Sequence, residues 1–485
     1  MGLFIICNIM GAGGALLCQQ RTRLGHLCVW ATCILSWLLM GMIGYQVGHG
    51  IYQEHYLWLP AWHAEINLYA DTLAMSLCGL TLFTTTIILA SSRYLVRENV
   101  LSFQAAFLLM QALMCGVFLA ADGLLFYIFF EALLIPMYLC MGIWGGEQRL
   151  KAALKFFMFT VVGSVLMLIA LAFLGLKAES FALSDWYQLK LSAIEQRWVF
   201  IAFVAAFAIK VPMWPLHTWL PDAHTEAPAG GSILLAALML KMGGYGLLRF
   251  AWPIAPIGAV YFAPALCVLA LIAVVLIGFV ALAQTDMKRL IAYSSIAHMG
   301  FVILGLFIVM GVGGQLRDPL LAWDGAVMQM ITHAFGSGAL FLLFGFIYVR
   351  THERRISHLQ GMATLMPCCA ALFVVCAMAN IAVPGTSGFV GEWMVLLAVG
   401  QVKPLWMMIA VLTMVLSASY TLWTLRRVFF GCAPQGPVND LVWGERLCGG
   451  LFVMMIVLVG VYPKALVDYI HPSTERLWQH VVATT

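Results

Sequence analysis

At fourteen places the sequence runs apolar for long enough to cross a bilayer. A hydrocarbon core of about 30 Å takes about twenty residues of α-helix. With no water to bond the backbone, a spanning segment has to satisfy its own amides and carbonyls, which a helix does. The stretches lie near 2–19, 27–47, 70–91, 102–120, 123–144, 152–176, 197–217, 229–250, 257–284, 289–311, 324–349, 366–399, 404–427 and 447–467. The fold class is therefore an all-α polytopic membrane protein of about fourteen transmembrane helices. Composition bears on one point: 63% of the 485 residues are hydrophobic and 9% are charged, against about 25% charged in soluble domains. That excludes a soluble enzyme, a DNA-binding protein and a disordered chain. A net charge of +4, dispersed along the chain, gives no footing for a nucleic-acid partner.

Charge asymmetry orients the helices. With the N-terminus outside, the odd-to-even connections hold 15 Lys and Arg, and the even-to-odd ones with the C-terminal tail hold 8, which places both termini on the outer side. The expected location is a bacterial inner membrane, with the termini periplasmic. Met1 to Cys18 has no basic leader region and no small-x-small cleavage site, and reads as the first span. The 13 cysteines, Cys432 among them, form no C-x-x-C pair and sit mostly in apolar runs. They read as small core hydrophobes, not as zinc or iron–sulfur ligands.

Four charges fall where lipid should be: Glu131, Lys210, Lys241 and Glu392. A charge at a helix centre costs about 2.5–3.5 kcal/mol on insertion scales, and such residues face a polar interior and mark ion or proton paths. Structural ion pairs are the plainer alternative. His298 and His333 join them, each beside small or hydroxylic neighbours (Ser294, Ser295, Thr332, Ser337). A neutral imidazole takes a proton on one nitrogen and releases one from the other. Two histidines on separate helices also suit a haem, though no C-x-x-C-H motif is present.

Two spans are broken by proline, in IKVPMWPLHTWLPDAH at Pro212, Pro215 and Pro221, and in ANIAVPGTSGFVGEW at Pro384. Proline removes a helix hydrogen bond, and the freed groups survive at membrane depth only beside protein or water. The breaks fall in spans 7 and 12, five apart. That predicts discontinuous helices 7 and 12 within two inverted five-helix repeats, spans 4–8 and 9–13. The organisation expected is 1–100 for helices 1–3, 101–250 and 251–430 for the two repeats, and 431–485 for helix 14 and a tail.

Five motifs carry a resemblance: FFEALLIPMYLCMGIWG at 129–145, KVPMWPLHTWLPDAHTEAPAGGSILLAALMLKMGGYGLLRF at 210–250, AQTDMKRLIAYSSIAHMGF at 283–301, MQMITHAFGSGALF at 328–341 and VPGTSGFVGEW at 383–393. In this order they resemble helices 5, 7–8, 10, 11 and 12 of the antiporter-like subunits of respiratory complex I. Glu392 stands where the L-type and N-type subunits, and the related cation/proton antiporter subunits, generally carry lysine. Only about 18 residues follow the last span, too few for the L-type lateral helix. Both features favour the M-type branch. Gly243 and Gly244 replace a more usual alanine or small residue, which is expected to loosen packing there.

The resemblance implies a row of proton-transfer residues at the membrane midplane, running Glu131, Lys210, Lys241, His298, His333 and Glu392. Glu131 would pair with Lys210, and protons would pass through Lys241 and the histidines to Glu392. It implies no cofactor on this chain, with NADH, flavin, iron–sulfur clusters and quinone on other subunits of the complex. Its partners would be the other membrane-arm subunits, notably the L-type and N-type ones, with lipids and protons. The alternative is a subunit of a multisubunit Na⁺/H⁺ antiporter or a membrane-bound hydrogenase.

Overall fold

The computed structural model describes residues 1–59, 64–313, 316–431 and 438–484; Cys432 and Thr485 lie outside them. Among the described residues, eleven helices are long and apolar enough to cross a membrane. Gly2–Leu17 and the two broken spans complete the fourteen expected. The seventh span is Ala193–Lys210 followed, after a turn, by Trp219–Glu226. The twelfth is Pro367–Asn380 followed by Ser387–Val402, with Ala382 and Gly385 at positive φ in the turn between. At Gly385 the φ of +88° is one that glycine takes without a Cβ penalty.

Three features go beyond the sequence reading. The fifth span is itself divided, into Gly123–Ala132 and Leu134–Trp144, because the ring of Pro136 collides with the turn before it. Residues 52–70, between the second and third spans, form an antiparallel hairpin of Tyr52–Leu59 and Ala64–Ala70. The expected tail is a second C-terminal helix, Lys464–Thr484, following Trp443–Val461.

The chain divides into two compact units. Unit 1 comprises Met1–Lys210, Tyr245–Ala259 and Pro472–Thr485. Both termini and the even-to-odd connections gather at one end of it. The Met1 ammonium pairs with Glu54 at 2.5 Å, and Ala121 donates to the Asn67 carbonyl at 2.9 Å. Gly123 donates to the Phe181 carbonyl at 2.8 Å, Arg249 pairs with Asp71 at 2.5 Å, and Ser473 meets Thr72 at 2.7 Å. Along its helix Arg149–Ala178, Met158, Val162, Val165 and Ile169 are exposed while Gly163, Ser164, Met167 and Ala170 are buried. An apolar stripe of that length suits lipid or a neighbouring protein, not water.

Unit 2 comprises Val211–Gly244 and Val260–His471. Its odd-to-even connections meet at one end: Lys288 reaches the Ala227 carbonyl at 2.7 Å, Arg289 pairs with Asp222 at 2.9 Å, and Ile356 donates to the Thr285 carbonyl at 2.9 Å. At the same end of their helices, Arg350 holds Glu445 and the Cys368 amide donates to Asp440 at 2.8 Å. A missed or surplus span would have put some of these connections on opposite ends. Helices Met287–Phe307 and Pro319–Thr351 are enclosed along nearly their whole length. Of the twelve described cysteines eight are buried, and Cys7, Cys18, Cys28 and Cys368 are partly exposed.

Candidate functional site

The six candidate residues fall into two sets, Glu131 and Lys210 in unit 1 and Lys241, His298, His333 and Glu392 in unit 2.

Lys210 closes helix Ala193–Lys210 at the break and is wholly buried. The unpaired carbonyls of a helix C-terminus favour a cation, so the break puts the lysine where its charge is best tolerated. Its Nζ also lies 4.8 Å from the Phe130 ring centroid and 5.6 Å from that of Phe156, close enough for cation–π attraction. Glu131 sits beside the kink of the fifth span, partly exposed, with Ser164 at its carboxylate. The expected Glu131–Lys210 contact is not a direct one: neither Lys210 Nζ nor Glu131 Oε1 has a hydrogen-bond partner. The Lys210 ammonium instead rests beside the two aromatic rings at the helix end.

The second set is a series of short contacts on either side of one ring-to-ring gap. Lys241 follows a π-helical turn at Leu235–Met239, and its Nζ donates to the Ala236 carbonyl five residues back at 2.5 Å. Such wide turns are common at functional sites. The same Nζ lies 2.8 Å from His333 Nδ1. The His333 and His298 rings are 5.9 Å apart between centroids, and each leaves Nε2 without a protein partner. His298 Nδ1 lies 2.5 Å from Glu392 Oε1, which also accepts from Gln329 Nε2 at 3.1 Å. Glu392 sits in the second turn of Ser387–Val402, toward the helix end that favours an anion.

Gly244 does not loosen this region. A Cβ there would stand 2.5 Å from Met330 Sδ and 3.4 Å from Val302 Cγ1. The glycine instead lets the Lys241 segment press against the helices carrying His298 and His333.

Sequence reasoning missed His224 and Gln329. His224 is fully buried, stacks on Phe341 at 4.6 Å, and has no hydrogen-bond partner on either ring nitrogen. Its signal was the polar run HTWLPDAH inside a membrane span. Gln329 lies one helical turn before His333, on the side facing Glu392, which the sequence shows only as a polar residue in an apolar helix.

The comparisons with known proteins show the family. The family described as "NADH:quinone oxidoreductase/Mrp antiporter, TM" matches residues 120–417. The chain is 43% identical over 445 residues to NADH-quinone oxidoreductase subunit M of Rhodobacter capsulatus, covering 88% of this chain and 84% of that one. It superimposes on a chain of respiratory complex I from Thermus thermophilus with bound NADH, at a TM-score of 0.88 and 31% identity, over 99% of each chain. A chain of the Mrp complex from Dietzia sp. DQ12-45-1b shares the fold at a TM-score of 0.88 and 19% identity, over 99% of this chain and 98% of that one.

Proposed function

Because the chain belongs to the NADH:quinone oxidoreductase/Mrp antiporter membrane family, we propose that it is the M-type, proton-translocating membrane-arm subunit of an NADH:quinone oxidoreductase. The observation that carries the reading is the buried set Lys241–His333–His298–Glu392, joined by contacts of 2.8 and 2.5 Å and a 5.9 Å ring-to-ring gap. A helix bundle held together by packing has no use for a lysine, two imidazoles and a carboxylate in series. Together they form a path along which a proton is taken up at one end and released at the other.

The redox chemistry lies on other subunits, which carry the NADH site, flavin, iron–sulfur clusters and quinone site. This chain turns the energy they release into proton movement. Glu131 sets the charge state of Lys210. When the carboxylate is neutralised or drawn to another partner, Lys210 loses its counter-ion and gives up its proton, and Lys241 takes one up. The histidines and their waters carry it to Glu392. The L-type and N-type antiporter-like subunits are the neighbours, and the two five-helix stretches 101–250 and 251–430 are the repeating parts.

The test is to purify the tagged chain from its native membrane. Flavin- and iron–sulfur-bearing subunits should accompany it, with NADH:quinone reductase activity. Co-purification with cation/proton antiporter subunits alone, and no NADH oxidation, would refute the reading in favour of the Mrp-like alternative. Orientation is tested in the same cells. Cysteines placed near residue 55 and at the C-terminus should take up an impermeant label from the periplasmic side, and one near residue 353 should not.

A further inference from the structure

The buried set in unit 2 ends at Glu392, a carboxylate 1% exposed, and none of the six candidate residues connects it to solvent. One other acidic side chain of that unit is buried on the neighbouring helix and touches a surface histidine. Asp324, in the second turn of Pro319–Thr351, is 3% exposed. Its Oδ2 lies 2.6 Å from Nδ1 of His471, whose side chain is 41% exposed. We propose that Asp324 and His471 form the outlet of the relay, taking the proton from Glu392 and delivering it to solvent. The proposal rests on the proton-translocating reading above.

Helix register carries it. A Cβ on Gly325 would stand 2.8 Å from Met394 Cβ and 3.1 Å from the Val395 amide. One on Gly391 would stand 2.5 Å from the Gln329 amide nitrogen. The helices Pro319–Thr351 and Ser387–Val402 therefore run antiparallel in close contact, with 325 beside 394–395 and 329 beside 391. Glu392 is level with residue 328. Asp324 lies four residues further toward the helix start, about 6 Å along the axis. Gln329, bonded to Glu392, lies on the other side of that level, so the step from Glu392 to Asp324 is left to bridging water. A buried carboxylate is expensive unless paired, and the partner found here is the side chain whose charge changes most readily near neutral pH.

The transfer leaves every group as it began. Asp324 takes a proton from Glu392 through water and passes it to His471 Nδ1. The imidazolium releases a proton from Nε2 to solvent, and exchange with water restores the tautomer. A purely structural tie between the C-terminal helix and the bundle would need the hydrogen bond but not the titration.

The test compares Asp324→Asn, His471→Ala, His471→Gln and Glu392→Gln in the assembled complex, with proton pumping and quinone reduction measured in the same membranes and assembly checked on native gels. Glu392→Gln and Asp324→Asn should each lower pumping about tenfold. His471→Ala should do the same and recover to within about twofold on addition of imidazole, which replaces the missing base. His471→Gln keeps a hydrogen-bond donor without a titrating group and should stay low. Normal pumping by Asp324→Asn or His471→Gln beside a defective Glu392→Gln would overturn the outlet alone. Normal pumping by assembled Glu392→Gln would overturn the relay reading instead. If Asp324→Asn does not assemble, imidazole rescue of His471→Ala decides, and its failure overturns the outlet.

Discussion

The two charged sets are built on opposite principles. In unit 1 the ammonium of Lys210 rests on a helix end and two aromatic rings, and its carboxylate stands off without a direct bond. In unit 2 Lys241 is tied to His333 and His298 to Glu392 by short contacts, with 5.9 Å between the two imidazole centroids. A loosely held pair responds to a change in its surroundings, because little has to be broken before the carboxylate turns to another partner. A tightly held series suits transfer, because two of its contact distances are already set. On the proposed function, the first set is the switch and the second the transfer path.

Breaking the line should cost most. Lys241→Met removes the group bonded to both His333 and the Ala236 carbonyl. Pumping should fall at least about tenfold, and NADH-to-quinone electron transfer should fall with it, because coupled redox steps stall when protons do not move. Membrane assays with a native-gel check of assembly read both.

Changing the switch should cost less and should depend on charge more than on shape. Glu131→Ala should reduce pumping about fivefold in an assembled complex. Glu131→Asp should keep more than about half, since nothing bonds directly to the lysine across the gap. Lys210→Arg should do worse than Glu131→Asp, because arginine does not release its proton at physiological pH. Normal pumping by assembled Glu131→Ala would erase the distinction between the two sets.

A steric change should sharpen the comparison from the packing side. Gly391→Ala drives a methyl into the Gln329 backbone and spreads the helices that hold Glu392. Overpacking of this kind costs about 1–3 kcal/mol, to be read as a lower melting temperature of the complex with a partial loss of pumping.

The smallest effect is expected outside both sets. Backbone N–H of Arg355, the His358 side chain and the Arg354 amide hold the Glu353 carboxyl down to about 2. A carboxyl held low stabilises the fold at pH values above the ordinary carboxylate range. That contribution fades as the pH falls toward about 2. The side chain is about one-third exposed, so Glu353→Gln should cost less than about 1 kcal/mol at neutral pH, with pumping unchanged.

The spans and the charges within them were legible because each is a departure from a uniform background. Glu131, Lys210, Lys241 and Glu392 stand out in apolar runs, and proline marks both broken helices. What stayed hidden lacked that contrast. In the hairpin, Tyr52, Glu54 and Tyr56 alternate along one face of a strand, and both tyrosine hydroxyls meet Glu54. A period of two over seven or eight residues is a faint signal between long helices. Pro472 disguised the C-terminal helix, since proline normally ends one. The separation of Glu131 from Lys210 was invisible because opposite charges on neighbouring spans invite a direct pair. The aromatic rings that hold the lysine look like ordinary core residues.

The wide turn at Leu235–Met239 gives the Lys241 segment a property that the other five candidate positions lack. A π turn holds one residue more than an α turn, so the helix stores a surplus residue just before the lysine. If the surplus migrates past position 241, each residue it crosses rotates by about 100° without a break in the helix. The ammonium then swings off His333 while both ends of the helix stay where they are. Such a rotation of Lys241 would need no displacement of a span.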